Sequence, residues 1–181
     1  MTLIDRRLLV LPEKMDANQE KFSRIYDEHV EQIYRFVFLR VNDKEIAQDL
    51  TAETFSRGWE KFNQDPAAIR NPRAFLYKTA RNLTIDHYRV KGKAKIVAPE
   101  TVECRLVDPK TDLEQQAMLA SEMANVRAAM SHLNEDYQNA IIWRYIDDLS
   151  IKEVSHLLER SEDATRVLLH RAMKELRNHL S

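Results

Sequence analysis

The chain has 181 residues, of which 44% are hydrophobic and 31% charged, and its formal net charge is −1 at pH 7. This length allows one domain or two small ones, and a single cysteine excludes an internal disulfide framework and any cysteine-based zinc site. Because only two glycines and five prolines interrupt stretches rich in good helix formers, we expect an all-α fold.

Residues 1–17 form an N-terminal tail in this interpretation. Its apolar run at residues 8–11 is ended by Pro12, far short of a signal-peptide core or a membrane span. Together with the single cysteine, this run predicts a cytoplasmic protein that is not inserted in a membrane.

The first helical domain is predicted over residues 18–91. Apolar residues at steps of three and four from Asn18 to Val41 indicate a first amphipathic helix. In the second helix, apolar side chains face the core and the other side is polar. That polar side comprises Asp49, Glu53 and Arg57. Their spacing of four predicts helix ion pairs and not an acid–base site, and turn chemistry predicts a loop at residues 63–66.

A third helix is predicted from Pro72, which Asn71 caps, to Lys91. Each residue of an α-helix is rotated by about 100° from the one before it. On this basis the third helix has three sides that differ in chemistry. The side expected to be core comprises Leu76, Thr79, Ala80, Leu83, His87 and Val90. The opposite side is polar and basic and comprises Lys78, Arg81, Asn82 and Arg89. A flank between them comprises Tyr77, Thr84 and Tyr88.

Cations beside aromatic rings suit single-stranded DNA, because cations follow phosphates while rings stack on bases at about 1–3 kcal/mol each. The third helix therefore predicts a single-stranded DNA surface. The alternative is that Tyr77 and Tyr88 pack against the first or second helix and belong to the core. For His87, at the middle of the apolar side, we expect a buried and hydrogen-bonded histidine.

The charge along the chain then changes sign. Residues 70–95 hold eight basic residues and one acid, whereas residues 100–122 are mainly acidic. With Pro99, Pro109 and no apolar period, residues 92–111 are predicted to be an extended acidic linker. A basic block beside an acidic one predicts two different partners, or one partner whose surface changes sign.

The second helical domain is predicted over residues 112–181. Its last two helices are short, and a tight turn at Glu159 joins them. The first starts with a capping box at Ser150 and Glu153, and Ser161 caps the second. Two helices joined in this way are typical of a helix-turn-helix, whose second helix fits the major groove of DNA.

The side of the final helix predicted to be core comprises Leu169, Ala172, Met173, Leu176 and Leu180. The outer side of this helix is polar and basic. It comprises Asp163, Arg166, His170, Lys174 and Arg177, with Arg171 beside them. The helix-turn-helix arrangement favours DNA binding, and the alternative is the solvated side of an ordinary bundle helix. Two glycines cannot build a phosphate-cradling loop, so we expect no catalytic residue, cofactor or metal.

Two runs of sequence, Ala47 to Trp59 and Phe75 to Arg89, resemble region 2 of the extracytoplasmic-function (ECF) sigma factors of bacterial RNA polymerase. The most specific piece is the run Ala-Arg-Asn-Leu-x-Ile-Asp-x-x-Arg. Leu149 through Arg177 is similar to region 4 of the same family. The resemblance implies two small helical domains joined by an extended linker, and a protein that is not an enzyme.

The resemblance also implies partners. They are core RNA polymerase, through its β′ clamp helices and β flap, and promoter DNA, whose −10 element the factor recognises and opens. An anti-sigma protein is a further expected type of partner. The linker would thread toward the active-site cleft of the polymerase, and the loop of residues 63–71 matches the part that captures a flipped base.

Site residues carry over position by position. The residues at the docking site for the β′ clamp helices are Gln48, Asp49, Glu53 and Arg57. The residues expected at the −10 element are Arg73, Tyr77, Lys78, Arg81, Asn82, Asp86, Tyr88 and Arg89. The residues expected at the −35 element are Arg160, Ser161, Arg166, His170, Arg171 and Lys174.

The chain departs from the family at the helix-turn-helix. Glu159 stands where glycine is common, and Leu168 where a basic residue is common. Glu162 and Asp163, at the tip of the final helix, suit the helix dipole but repel phosphates. These departures predict a weak or unusual −35 contact. The rival functions are a stand-alone helix-turn-helix regulator that binds duplex DNA as a dimer and a structural adaptor that binds RNA.

Overall fold

The structure is a computed structural model that describes residues 16–90 and 125–180. Every regular element in those two ranges is helical, which confirms the all-α class. The helices are α1 (Ala17–Val41), α2 (Lys44–Gln64), α3 (Pro72–Val90), α4 (residues 125–131), α5 (Glu135–Ile141), α6 (Ile151–Leu158) and α7 (Glu162–Leu180). A 3₁₀ turn spans Pro66–Ala68 and a π turn spans Ile142–Ile146.

The chain divides into two compact units, unit 1 (Met1–Val90) and unit 2 (Lys91–Ser181). The predicted linker at residues 92–111 and nearly all of the predicted tail lie outside the described residues. The proposed domain boundaries therefore stay predictions.

Local capping defines the helix ends in unit 1. Asp16 forms a capping box with Gln19 at the start of α1. Asn42 ends α1 in the left-handed conformation, with φ 51° and ψ 31°, and the Asp43 side chain accepts from the Ile46 N–H at 3.0 Å to start α2. Short polar residues thus satisfy the backbone groups at both helix ends. The end of the first helix at Val41 is confirmed.

The predicted loop at residues 63–66 is wrong at its start. Asn63 and Gln64 still belong to α2, and the Asp65 N–H donates to the Lys61 carbonyl at 3.1 Å to close its last turn. The Asp65 carboxylate then accepts from the Ala67 N–H at 3.0 Å and starts the 3₁₀ turn. The helix α2 therefore continues to Gln64, and the carboxylate of Asp65 starts the next element.

The core of unit 1 lies between α1, α2 and α3. Phe36 is fully buried on α1 and meets the ring of Tyr77 edge-on, with centroids 5.6 Å apart. Gly58 allows α2 to approach its neighbours closely, because a Cβ there would lie 3.2 Å from Phe22 Cζ and 3.3 Å from Leu76 Cδ2. Such contacts are tighter than ordinary packing, so the glycine sets the spacing of the bundle.

The core of unit 2 is formed by α5, α6 and α7. Trp143, Leu149 and Val154 are almost fully buried there. The capping box of Ser150 and Glu153 starts α6 as predicted, because each backbone N–H is bonded by the other residue's side chain.

Two residues predicted to be core are exposed. Val90 and Leu180 have 87% and 47% of their surface exposed. Each is the last residue of its helix, α3 and α7 respectively. Periodicity places both residues on the apolar side of their helix, but no described part of the chain covers them.

Candidate nucleic-acid interface

The polar side of α2 lies at the surface of unit 1. Asp49, Glu53 and Arg57 are exposed, and Gln48 is half-buried. Arg57 Nε donates to Glu53 Oε1 at 2.7 Å, which confirms the predicted ion pair within the helix. Both side chains are about half exposed, so the pair contributes only about 0.3–0.5 kcal/mol to the free energy of unfolding.

The opposite side of α2 fixes this orientation. Thr51 and Thr54 are fully buried, and their hydroxyls donate to the Ala47 and Leu50 carbonyls at 2.6 and 2.7 Å. Buried hydroxyls need such partners. The buried threonines and Phe55 set the rotation of α2. The exposed carboxylates of Asp49 and Glu53, which we call the acidic row, therefore face outward.

The basic side of α3 is exposed as predicted. Lys78, Asn82, Asp86 and Arg89 lie at the surface, and Arg81 is half-buried. Arg89 Nη1 lies 3.8 Å from Asp86 Oδ1, an exposed pair within the helix. This side presents hydrogen-bond donors and positive charge, which suit contacts to a nucleic-acid backbone.

Tyr77 corrects the prediction for α3. It has 0% of its surface exposed, and its ring packs edge-on against Phe36. Thr84, on the same flank, is 1% exposed. Because α1 and α2 both pack against α3, the buried side of α3 is wider than a single apolar stripe. The assignment of Tyr77 to base stacking at the −10 element is therefore wrong, and its role is in the core.

Tyr88 differs from Tyr77. It is 40% exposed, and its hydroxyl donates to the Arg40 carbonyl at 2.7 Å, which joins the end of α3 to the last turn of α1. Burial raises the pKa of the Tyr88 hydroxyl above its ordinary value, and the charge of Arg40 acts in the opposite sense. His87 meets this ring edge-on and is half-buried, not buried as predicted.

The beginning of α3 is fixed by Asn71, whose side chain accepts from the Ala74 N–H at 3.0 Å. Arg73, in the first turn, is half-buried. The pKa of His29 on α1 is lowered, mainly by burial and also by the charge of Arg73. A lowered pKa keeps this imidazole neutral near pH 7.

The outer side of α7 carries the predicted basic residues of unit 2. His170, Arg171 and Lys174 are exposed. Ser161 caps the helix by accepting from the Ala164 N–H at 3.2 Å. Arg160 Nη2 donates to Asp136 Oδ2 at 2.8 Å, so this arginine bridges the turn before α7 to α5.

Leu168, at a position where the sequence resemblance implies a basic residue, is 7% exposed. Leu169 and Ala172 on the same helix are also buried, so position 168 belongs to the core side of α7. In this chain position 168 offers no side chain to a partner.

A groove of about 740 Å³ runs beside α7. Its lining comprises Arg144, Tyr145, Ile151, Arg166, Leu169, His170, Met173, Lys174, Arg177 and Asn178. Sequence reasoning assigned Arg166, His170 and Lys174 to a contact surface, but it missed Arg144, Tyr145 and Asn178. Arg144 and Tyr145 belong to the π turn, and only tertiary packing brings them to α7. Their signal in the sequence is weak, because neither lies on the outer side of a helix-turn-helix element.

Among the described residues, no helix is long and apolar enough to span a membrane. Within residues 16–90 and 125–180, no three His, Cys, Asp or Glu side chains come together to hold a metal ion. Three exposed surfaces of the described helices carry most of the residues predicted to bind partners: the acidic row of α2, the basic side of α3 and the outer side of α7.

Two family models match the chain. One is described as "Sigma-70 region 2" and matches residues 25–94. The other is described as "Sigma-70, region 4" and matches residues 123–176. The first spans the described helices of unit 1 that carry the acidic row and the basic side of α3, and the second spans the helix-turn-helix.

Curated relatives cover both regions at once. The ECF RNA polymerase sigma factor BldN of Streptomyces coelicolor is 28% identical over 172 residues, with 94% of this chain covered. The chain spans 64% of the length of BldN. The ECF RNA polymerase sigma factor SigX of Bacillus subtilis is 28% identical over 173 residues, covering 90% of this chain and 84% of SigX.

Solved structures share the fold. CnrH, in complex with the cytosolic domain of CnrY, matches with a TM-score of 0.66 and 19% identity, covering 91% of this chain and 90% of that one. The sigma factor RpoE of Bartonella quintana, in complex with the anti-sigma factor NepR, matches with a TM-score of 0.68 and 19% identity, covering 89% of this chain and 97% of that one.

Proposed function

The chain belongs to the ECF group of the sigma-70 family of RNA polymerase sigma factors, and from this premise we propose that its described surfaces bind core polymerase and promoter DNA. A sigma factor acts by binding, and the catalysis of RNA synthesis belongs to the polymerase. We also propose that the chain acts in the bacterial cytoplasm, where promoter DNA lies.

The observation that carries the proposal is the presence of two chemically different surfaces on two packed helices of unit 1. The acidic row of α2 is exposed while its buried threonines fix the helix. The basic side of α3 lies on a separate helix. One surface thus suits a protein partner and the other a nucleic acid.

We assign the acidic row to core polymerase. Gln48, Asp49, Glu53 and Arg57 would dock on the β′ clamp helices. Exposed charges at an interface increase the specificity and the rate of association more than the affinity. The negative charge of the acidic row would pair with a basic surface of the partner. The β flap and an anti-sigma protein stay predicted partners of the chain.

We assign the basic side of α3 to the −10 element. With Tyr77 in the core, the proposed set is Arg73, Lys78, Arg81, Asn82, Asp86, Tyr88 and Arg89. The cations would follow the strand and the ring of Tyr88 would take a base that has left the duplex, which offsets part of the cost of unstacking.

We assign the outer side of α7 to the −35 element. The proposed contacts are Arg160, Ser161, Arg166, His170, Arg171 and Lys174, and the groove beside α7 extends this surface to Arg144 and Arg177. Arg160 is paired with Asp136. To bind DNA through the same guanidinium nitrogen, Arg160 would have to exchange the carboxylate of Asp136 for a phosphate.

Transcription with purified components tests the proposal. The chain alone should bind promoter DNA weakly, and the chain with core polymerase should start RNA synthesis at defined positions on genomic fragments. A stand-alone regulator would instead bind duplex DNA specifically without polymerase. That alternative is not favoured, because the match to region 2 spans residues 25–94.

A further inference from the structure

The first turn of α7 holds a cluster of two acids and one arginine. Arg166 Nη1 donates to Asp163 Oδ1 at 2.7 Å, and Arg166 Nη2 donates to Glu162 Oε2 at 3.1 Å. Two carboxylates thus hold the two terminal nitrogens of one guanidinium. On the basis of the proposed −35 function, we infer that Glu162 and Asp163 are positioning residues that aim Arg166 at a guanine.

Stability does not explain this cluster. The side chains of Arg166, Glu162 and Asp163 are 55%, 46% and 94% exposed. Ion pairs within one helix contribute little at such exposure, because water screens the charges and the side chains lose freedom. The acids also suit the start of the helix, but that effect needs no contact with an arginine.

The main effect of the cluster is on the conformation of Arg166. An unrestrained arginine side chain samples many rotamers and loses that freedom when it binds a base. The two carboxylates remove part of this freedom before DNA arrives, and the guanidinium keeps further N–H donors for a ligand. A fixed guanidinium fork matches O6 and N7 of guanine in the major groove.

The same acids lower the affinity of the helix for any DNA. They lie at the end of α7 that a helix-turn-helix inserts into the groove, and negative charge there repels the phosphates. Specificity is a difference between two affinities. The two acids weaken binding to every DNA sequence, but they also order the contact of Arg166 to one base. They therefore lower the overall affinity and increase the discrimination between guanine and the other bases.

Selection of promoters by the full chain with core polymerase tests the inference. A duplex library randomised over the upstream element would be selected with the native chain, with Arg166→Ala, with Arg166→Lys and with the double variant Glu162→Ala, Asp163→Ala. We expect both arginine variants to lose the preference for one G·C base pair. The double variant should lose about threefold of the preference at the same base pair, because two exposed ion pairs within a helix hold the side chain only weakly, while it binds random duplex about threefold more tightly.

Glu175→Ala is the matched control. It also removes a negative charge from α7, but no contact joins Glu175 to Arg166 among the described hydrogen bonds and ion pairs. This variant should keep the native preference at every base pair. The three clustered side chains are 46–94% exposed, so their substitution should leave the fold intact, and circular dichroism of each variant would check the helix content.

Two results with the double variant would overturn the inference. One is a double variant that binds all duplexes more tightly and keeps the G·C preference, because the acids would then act only as charges. The other is loss of preference at a different base pair, because Asp163 would then read a base itself. A native chain that enriches no upstream sequence would contradict the proposed −35 function, whereas enrichment that ignores Arg166 would contradict this inference alone.

Discussion

At the end of α3, the hydroxyl of Tyr88 is bound to the Arg40 carbonyl while its ring is 40% exposed. An aromatic ring anchored at one end loses little further freedom when a base stacks on it. The geometry therefore separates two contributions of this side chain. The ring supplies stacking, and the hydroxyl holds the ring in place.

Substitution of Tyr88 tests that separation. Tyr88→Ala should slow opening of a duplex promoter about tenfold, because stacking on a base is worth about 1–3 kcal/mol. Tyr88→Phe should slow it by no more than about fivefold, since the variant keeps the ring and loses one hydrogen bond worth about 1 kcal/mol. Opening rates would be measured with a fluorescent base at the −10 element.

Two controls accompany Tyr88. Val90→Ala, at an exposed position nearby, should leave the opening rate unchanged. A template that is already melted at the −10 element should be transcribed nearly normally by Tyr88→Ala. Equal losses on the duplex and melted templates would instead indicate that Tyr88 has a packing role.

Glu159 occupies the turn between α6 and α7 with φ 56° and ψ 42°. This left-handed conformation is strained for residues with a Cβ and favours glycine. Glu159→Gly should therefore raise the free energy of unfolding by about 0.5–1 kcal/mol, measured by denaturant unfolding. His156→Gly, inside α6, should lower it by about 1 kcal/mol. A stabilising effect of both substitutions, or of neither, would disagree with the strain argument.

At the scale of the element, α2 presents one side to the core and the acidic row to solvent. The helix has a buried threonine and phenylalanine side, so charge reversal on its outer side should change the surface without disturbing the packing. The acidic row can therefore be tested by substitution in the full chain.

The double variant Asp49→Lys, Glu53→Lys should bind core polymerase at least tenfold more weakly, because it places like charges opposite a complementary surface. The matched control is Asp27→Lys, Glu31→Lys, an exposed pair of acids with the same spacing on α1. Affinity would be measured by fluorescence polarisation with labelled chain, and the helix content by circular dichroism. Unchanged binding of the Asp49 and Glu53 variant would remove the docking assignment.

The helices themselves were predictable because their limits depend on neighbouring residues. Asn71, Ser150 and Ser161 all cap the helices that the sequence placed after them. A capping bond joins residues two or three apart, so its partners are visible in a short stretch of sequence.

The sites were less predictable because they depend on packing between helices. The position of Tyr77 on the flank of α3 looks the same in sequence as that of Tyr88, yet one is buried and the other is 40% exposed. Arg144 enters the groove of α7 from the π turn. These outcomes depend on how many neighbours cover a helix side, which periodicity does not contain.

At the scale of the whole molecule, the proposed DNA contacts belong to different units. Asn82 and Tyr88 lie on α3 of unit 1, whereas His170 and Lys174 lie on α7 of unit 2. If each unit recognises its own promoter element, a substitution in one unit should reduce transcription only on promoters that contain that element. A factorial experiment can therefore separate the two surfaces in the full chain bound to core polymerase.

We expect the variant His170→Ala, Lys174→Ala to reduce transcription about tenfold on an intact promoter, because each side chain supplies a contact to DNA. It should cause no further loss on a promoter whose −35 element has been replaced. Asn82→Ala should reduce transcription on both promoters by the same factor. The slope of log affinity against log salt should also fall by about one for each phosphate contact removed. If the α7 variant lost the same factor on both promoters, the two units would not recognise separate elements, and the division of labour proposed for them would be wrong.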